Sequence, residues 1–103
     1  MKKLIALLFA FNALAAFAGS ETNYYYQLAQ SGNQAYEQGE YDSAITLYSK
    51  VVNANFASPN LFYNLGNSYF KTNNLAPSIY YLEKAHKLAP FDKDIEFNLN
   101  MAR

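Results

Sequence analysis

Hydrophobic residues recur along most of the chain with the three-to-four-residue spacing of amphipathic α-helices. The first stripe consists of Leu28, Gly32, Ala35 and Tyr36. The polar stretch Gln38-Gly39-Glu40 interrupts it. A second stripe follows, made of Tyr41, Ala44, Ile45, Tyr48, Val51 and Val52. This pattern predicts two helices joined by a tight turn.

The second half of the chain shows the same arrangement with clearer boundary signals. Ser58-Pro59 combines an N-cap residue with a proline suited to the first helical position. The next stripe contains Phe62, Leu65, Gly66, Tyr69 and Phe70, and the one after it Leu75, Ile79, Leu82, Ala85 and Leu88. Asn74 is the predicted N-cap between them, and Pro90 ends the second of these helices. Asp92 is predicted to cap a last helix carrying Ile95, Leu99 and Ala102.

Shifting the chain by 34 residues superimposes the two halves. The shift pairs Gly32 with Gly66, Asn33 with Asn67, Ile45 with Ile79 and Lys50 with Lys84, and similar residues such as Tyr48 and Leu82 also coincide. We predict an all-α fold of antiparallel helix-turn-helix repeats: unit one at about 25–58, unit two at about 59–92 and a partial third unit or capping helix at 93–103. The small residues are expected to allow close helix packing, with Ala44, Ser78 and Ala85 on the second helices facing Gly32 and Gly66 on the first.

The amino terminus has the features of a signal peptide. Lys2 and Lys3 precede an apolar run of residues 4–18, which ends in Ala16-Phe17-Ala18. This predicts residues 1–18 as a signal peptide with cleavage before Gly19, and therefore an exported protein. The alternative is an uncleaved membrane anchor, although the run is shorter than the roughly 18–20 residues that a span requires. The last helix matches the start of a third unit, so we also expect the chain to be a truncated product.

Composition narrows the function classes. The 103 residues carry 8 basic and 8 acidic side chains and no cysteine. A chain with no net charge lacks the basic patch that is typical of nucleic-acid-binding proteins. The absence of cysteine excludes disulfides, thiolate metal sites and thiol nucleophiles. Contact with a membrane is expected only through an uncleaved signal or a membrane-bound partner.

The sequence contains no constellation that suggests catalysis. His86 is its one histidine and has no evident catalytic partners, and no glycine-rich phosphate loop exists. The alternating oxygen side chains of residues 92–98 lack the glycine and distal glutamate of a calcium loop, and helix capping explains them better. We therefore predict a protein that is not an enzyme and uses no cofactor or metal. Tyr24-Tyr25-Tyr26 is either an exposed recognition patch or the ragged start of the first helix.

The chain resembles the tetratricopeptide repeat (TPR) proteins over Tyr25 to Asp92. Unit two carries the pattern of that family as Phe62, Leu65-Gly66, Tyr69, Ser78, Leu82, Ala85 and Pro90. Unit one matches at Leu28, Gly32, Ala44 and Tyr48 but has Ala35, Val51 and Phe56 at three pattern positions. The stretches 63–71, 79–85 and 90–99 also resemble the BatE-type TPR proteins of the Bacteroides aerotolerance (Bat) operon, which sit in the cell envelope. This resemblance implies that the exported chain lies in the periplasm or cell envelope of a bacterium.

The resemblance implies that the first helix of each unit lines a concave groove for a protein or peptide partner. The corresponding residues here are Tyr26, Asn33, Tyr36, Asn60, Tyr63, Asn64, Asn67, Phe70, Lys71 and Phe97. The family's clamp for acidic C-terminal tails is not expected, because Ala29, Asp94 and Asn98 replace its basic residues. The predicted function is an exported interaction module or scaffold, with an aerotolerance or stress-related complex as one setting. The alternative is a structural or capping module that self-associates through its exposed repeat end.

Overall fold

The computed structural model describes the backbone of residues 2–103 and the side chains of residues 19–103. The helices are α1 (Lys2–Glu37), α2 (Tyr41–Asn53), α3 (Pro59–Lys71), α4 (Leu75–Leu88) and α5 (Lys93–Ala102). The predicted all-α class is confirmed. The predicted signal peptide, residues 1–18, lies outside the part of the chain whose side chains are described. Within the described residues, no helix is at once long enough and apolar enough to cross a membrane.

Side chains at the helix boundaries explain where α3 and α5 begin. The Ser58 hydroxyl accepts a hydrogen bond from the Leu61 backbone N–H at 3.1 Å, so the predicted cap is confirmed. The Asp92 carboxylate caps α5 by accepting from the backbone N–H groups of Asp94 and Ile95. Asn74 occupies the predicted N-cap position of α4 but makes no capping bond. Its amide nitrogen instead donates back to Thr72, at 2.9 Å to Oγ1.

The helices pack as two antiparallel pairs, α1 with α2 and α3 with α4, and α5 packs against α4 and α3. A Cβ atom built on Gly32 would lie 2.8 Å from Cε1 of Tyr48. One built on Gly66 would lie 2.8 Å from Cγ of Leu82. Both glycines therefore mark tight contacts within their pair, at equivalent places in the two units.

The identity of the residues facing the glycines differs from the sequence-based expectation. We expected Ala44, Ser78 and Ala85 to provide the opposing surface; all three are fully buried, but the atoms nearest the glycines belong to Tyr48 and Leu82. A large side chain lies across each glycine because the missing Cβ leaves room for it. Small residues beside it keep the helix backbones close. The buried hydroxyl of Ser78 has no hydrogen-bond partner among the described residues.

The core runs without a break from the first pair to α5. Its first cluster of buried side chains contains Ala35, Ala44, Tyr48, Val51, Leu61 and Leu65. Two further clusters join the second pair to α5, one containing Phe62, Ala85 and Ile95 and the other Leu82, Leu99 and Ala102. Because each helix pair covers the open side of its neighbour, α1, α3 and α5 are held side by side.

Candidate functional site: the groove along α1, α3 and α5

Two adjoining cavities lie on the surface formed by α1, α3 and α5, and we call them together the groove. One, of about 310 Å³, is lined by Tyr36, Asn67, Phe70, Lys71, Phe97, Asn98 and Met101. The other, of about 490 Å³, is lined by Gln30, Asn33, Gln34, Tyr36, Glu37, Asn60 and Asn64. Tyr36 belongs to both, so the two cavities form one continuous depression. The first cavity is mainly apolar and the second mainly amide-lined.

A hydrogen-bonded cluster forms the floor of the amide-lined part. Tyr48 reaches from α2 and donates its hydroxyl proton to Oδ1 of Asn33 on α1. Nδ2 of Asn64 on α3 donates to the Tyr48 hydroxyl at 3.2 Å and to Asn33 Oδ1 at 3.4 Å. These bonds join three helices and fix the position of both asparagines. Because one amide contacts the next unit, the cluster also sets the spacing between α1 and α3.

A second cluster repeats this arrangement beneath the apolar part. Nδ2 of Asn67 donates to the Tyr36 hydroxyl at 3.2 Å, which links α3 to α1. Nδ2 of Asn98 on α5 donates to Asn67 Oδ1 at 3.0 Å and to the Tyr63 hydroxyl at 2.9 Å. The pairs Asn33–Asn64 and Asn67–Asn98 are related by the same 34-residue shift that relates the two units. Asparagines thus form a ladder across the groove floor.

Most residues predicted for the groove line it in the structure. The set comprises Asn33, Tyr36, Asn60, Asn64, Asn67, Phe70, Lys71 and Phe97. Asn67 is less accessible than expected. It is only 6% exposed, and its side-chain amide is hydrogen-bonded to Tyr36 and Asn98. Sequence reasoning missed Asn98, Gln30 and Gln34 as lining residues. The 34-residue shift would have identified Asn98 as the counterpart of Asn64.

Tyr63 is half-buried and is not among the residues that line the two cavities of the groove. Its ring packs against the two clusters that join the second pair to α5. Its hydroxyl accepts a hydrogen bond from Asn98, whose side chain lines the groove. Packing of the ring against α5 is favourable because it removes apolar surface from water. Contact of this ring with a ligand stays a prediction.

Tyr26 lines a separate cavity at the end of the groove, which we call the apolar pocket. It has a volume of about 250 Å³ and is lined by Thr22, Tyr25, Tyr26, Ala29, Val51, Phe56, Ala57, Ser58 and Leu61. Tyr25 packs against Phe56 with ring centroids 5.4 Å apart, while Tyr24 and Tyr26 remain exposed. The three consecutive tyrosines lie within α1 rather than at its start.

The groove carries little charge. Glu37 and Lys71 are the charged residues among those that line it. Burial raises the pKa of the Tyr36 hydroxyl above its usual value, and the hydrogen bond from Asn67 only partly offsets this. The phenol is therefore neutral at physiological pH. No group of three or more metal-ligating side chains is found in the described part of the chain. The lining is thus suited to hydrogen bonding and apolar contact.

Comparison with known proteins agrees with this architecture. The family model described as "TPR repeat" matches residues 32–73, and that described as "Tetratricopeptide repeat" matches residues 59–92. The chain is also similar to the BBSome complex member BBS4 of Bos taurus, at 36% identity over 80 residues. The corresponding protein of Mus musculus is 34% identical over 77 residues. These matches cover 78% and 75% of this chain but 15% of each relative, so the chain spans about 15% of their length. The chain therefore carries tetratricopeptide repeats, across residues 32–92.

Proposed function

We propose that this chain is a protein-interaction module that holds an extended segment of a partner protein in the groove. Tetratricopeptide repeats generally bind protein partners, which supports the class of function. The observation that carries the proposal is the continuous lining, in which exposed amides at one end adjoin an aromatic surface at the other. A peptide backbone has paired donors and acceptors that amides match, and its side chains can supply apolar contacts.

The amides of the groove retain hydrogen-bonding capacity for a ligand. Asn33 accepts two hydrogen bonds through Oδ1, while within the described residues its Nδ2 makes no protein hydrogen bond. Asn64 donates through Nδ2, which leaves its Oδ1 available as an acceptor. Since both side chains are already fixed by the ladder, little side-chain entropy is lost when a ligand binds.

The aromatic end provides apolar contact area. Phe97 is 64% exposed and Met101 60% exposed, and both line the same cavity as Phe70. Exposed aromatic and methionine side chains are enriched at protein interfaces. We therefore expect most of the binding free energy to come from this end, with the amides orienting the bound segment.

The test is a selection of random displayed peptides on the full chain, followed by affinity measurements on variants. We expect Phe97→Ala to weaken binding of the selected peptides by about 1–3 kcal/mol. Tyr80→Ala is the matched control, because Tyr80 is 52% exposed but lies on α4, away from the groove. Loss of binding in Tyr80→Ala with none in Phe97→Ala would contradict the assignment of the groove.

We further propose that the chain is exported to a bacterial cell envelope, where it serves as a scaffold, with an aerotolerance or stress-related complex as one setting. The support is the sequence of residues 1–18 and the resemblance to BatE-type proteins over residues 63–99. The similarity to BBSome complex members covers 15% of the length of those proteins, so we do not propose that this chain assembles into that complex. Expression in a bacterium followed by N-terminal sequencing tests export: we expect Gly19-Ser20-Glu21, whereas intact Met1 on membrane-bound protein would indicate an anchor.

A structural role through self-association is the second candidate. It is favoured by Phe91, which is 90% exposed beside α5 and lies outside the groove. Light scattering coupled to size exclusion distinguishes the two functions. Self-association predicts an oligomer without added ligand that Phe91→Ser converts to a monomer, whereas the interaction module predicts no such dependence on Phe91.

A further inference from the structure

One space beside the first helix of each unit is filled by a side chain in the second unit and is empty in the first. The 34-residue shift places Ala29, Val51 and Leu61 on Tyr63, Ala85 and Ile95. In the second unit the Tyr63 ring packs against the buried cluster that contains Ala85 and Ile95. In the first unit the equivalent trio has alanine in place of the ring, and all three residues line the apolar pocket of about 250 Å³. The second unit thus shows that a tyrosine ring fits this space.

The apolar pocket and the groove are separate cavities, but neighbouring residues of the same two helices line them. Along α1, Tyr26 and Ala29 line the pocket and Gln30, the next residue, lines the groove. Along α3, Leu61 lines the pocket and Asn60 lines the groove. A peptide in the groove that extends past Gln30 and Asn60 would reach the pocket. Its backbone would contact the amides while one side chain enters the pocket.

We propose that the apolar pocket receives an aromatic side chain of the partner segment, in the place that Tyr63 fills in the second unit. This assignment rests on the proposed function and names the anchor residue of the partner. The remaining wall includes the Tyr25 and Phe56 rings, which pack against each other. Rings favour tilted and edge-to-face contacts with other rings, so an aromatic anchor fits this wall better than an aliphatic one.

The first experiment uses p-cresol, the side chain of tyrosine without its backbone, and the full chain labelled at its methyl groups. We expect saturable chemical-shift changes at the Val51 and Leu61 methyls in the NMR spectrum. Ala29→Tyr supplies the missing ring from the protein itself, so it should weaken p-cresol binding about tenfold or more and raise the melting temperature. Ala76→Tyr adds the same side chain at an exposed position of α4 and should leave binding unchanged.

Further variants keep the inference testable if Ala29→Tyr folds poorly. Ala29→Leu fills the pocket in part and should weaken p-cresol binding to an intermediate degree. Conversely, Tyr63→Ala opens the equivalent space in the second unit, and p-cresol should then also shift the Ile95 methyls. Equal binding to wild type and Ala29→Tyr, or tighter binding of isopentanol than of p-cresol, would overturn the assignment.

Peptides separate failure of this inference from failure of the proposed function. Peptides selected on the wild-type chain should contain an aromatic residue. Its replacement by alanine should weaken binding to the wild-type chain and leave binding to Ala29→Tyr unchanged. If selected peptides bind in the groove without such a residue, the anchor assignment is wrong and the groove function stands. If p-cresol binds at Val51 and Leu61 but no peptide binds, the proposed function is wrong, whereas the pocket does bind an aromatic ring.

Discussion

Substitution of Gly66 by alanine tests the packing of the second helix pair. The new Cβ would lie 2.8 Å from Leu82 Cγ, 3.0 Å from its Cδ2 and 3.1 Å from its backbone nitrogen. Carbon atoms pack at about 3.5–4.0 Å, so the overlap with Cγ is large. Neither Cγ nor the backbone nitrogen is the mobile end of a flexible side chain, and Leu82 is fully buried. Relief therefore requires movement of α4 as a whole.

Two opposing contributions set the magnitude. Overpacking of a close-packed core costs about 1–3 kcal/mol. Replacing glycine by alanine within a helix gains about 1 kcal/mol through helix propensity. We expect the steric cost to exceed the gain, so that Gly66→Ala lowers the free energy of unfolding by up to about 2 kcal/mol. For a domain of this size that corresponds to a fall in melting temperature of up to roughly 15 °C. Gly66→Leu should unfold the protein.

Urea unfolding followed by circular dichroism gives the free energy of unfolding and its dependence on denaturant. We expect a lower midpoint and an unchanged slope, because the amount of surface exposed on unfolding stays the same. Leu82→Ala alone should destabilise the protein by about 2–5 kcal/mol. Combined with Gly66→Ala it should cost less than the sum of the two single changes, because the overlap is removed. A higher midpoint for Gly66→Ala, by the helix-propensity gain alone, would refute the packing described here.

Three other predictions follow from buried groups and from the last helix. Ser78→Ala should raise the free energy of unfolding by about 1 kcal/mol in urea, because it removes a buried hydroxyl without a partner; a loss of stability would contradict this. Burial raises the pKa of Tyr48 and Tyr81 above their ordinary value of 10.0. These tyrosines therefore ionise at a lower pH in the unfolded chain than in the folded protein. The free energy of unfolding should be constant below pH 10 and should fall as the pH rises above it, less steeply in Tyr81→Phe. A melting temperature that does not change up to pH 11 would contradict this. Amide hydrogens of residues 93–102 should exchange faster than those of residues 63–70, since α5 is covered on one side only; equal protection would show that α5 is as stable as the core.

The sequence was informative wherever a structural feature depends on neighbouring residues. The caps at Ser58 and Asp92 are local, and both form as predicted. The positions of the helices follow from the stripes of apolar residues. The 34-residue shift also paired Tyr48 with Leu82, and these two side chains lie against the equivalent glycines. Short-range chemistry and the internal repeat thus determine most of the fold.

Features that depend on contacts between helices far apart in the sequence could not be predicted from local patterns. Tyr63 lies at the border between the groove face and the packed face of α3, and only the position of α5 decides which side its ring takes. The resemblance to tetratricopeptide repeat proteins implied a groove position for Asn67, but not that Tyr36 and Asn98 would occupy its amide. At Asn74 the cap position was correct, whereas the nearby Thr72 competes for the side chain.

Binding of partner segments along α1, α3 and α5 is tested most directly by NMR mapping of a selected peptide on the labelled full chain, with side-chain amides and aromatic rings both observed. We expect the largest shifts at the side chains of Asn33, Asn64 and Phe97, with little change at Tyr80 and Lys84 on α4. The largest shifts at Tyr80 and Lys84, with the groove side chains unaffected, would contradict it and place binding on the opposite face.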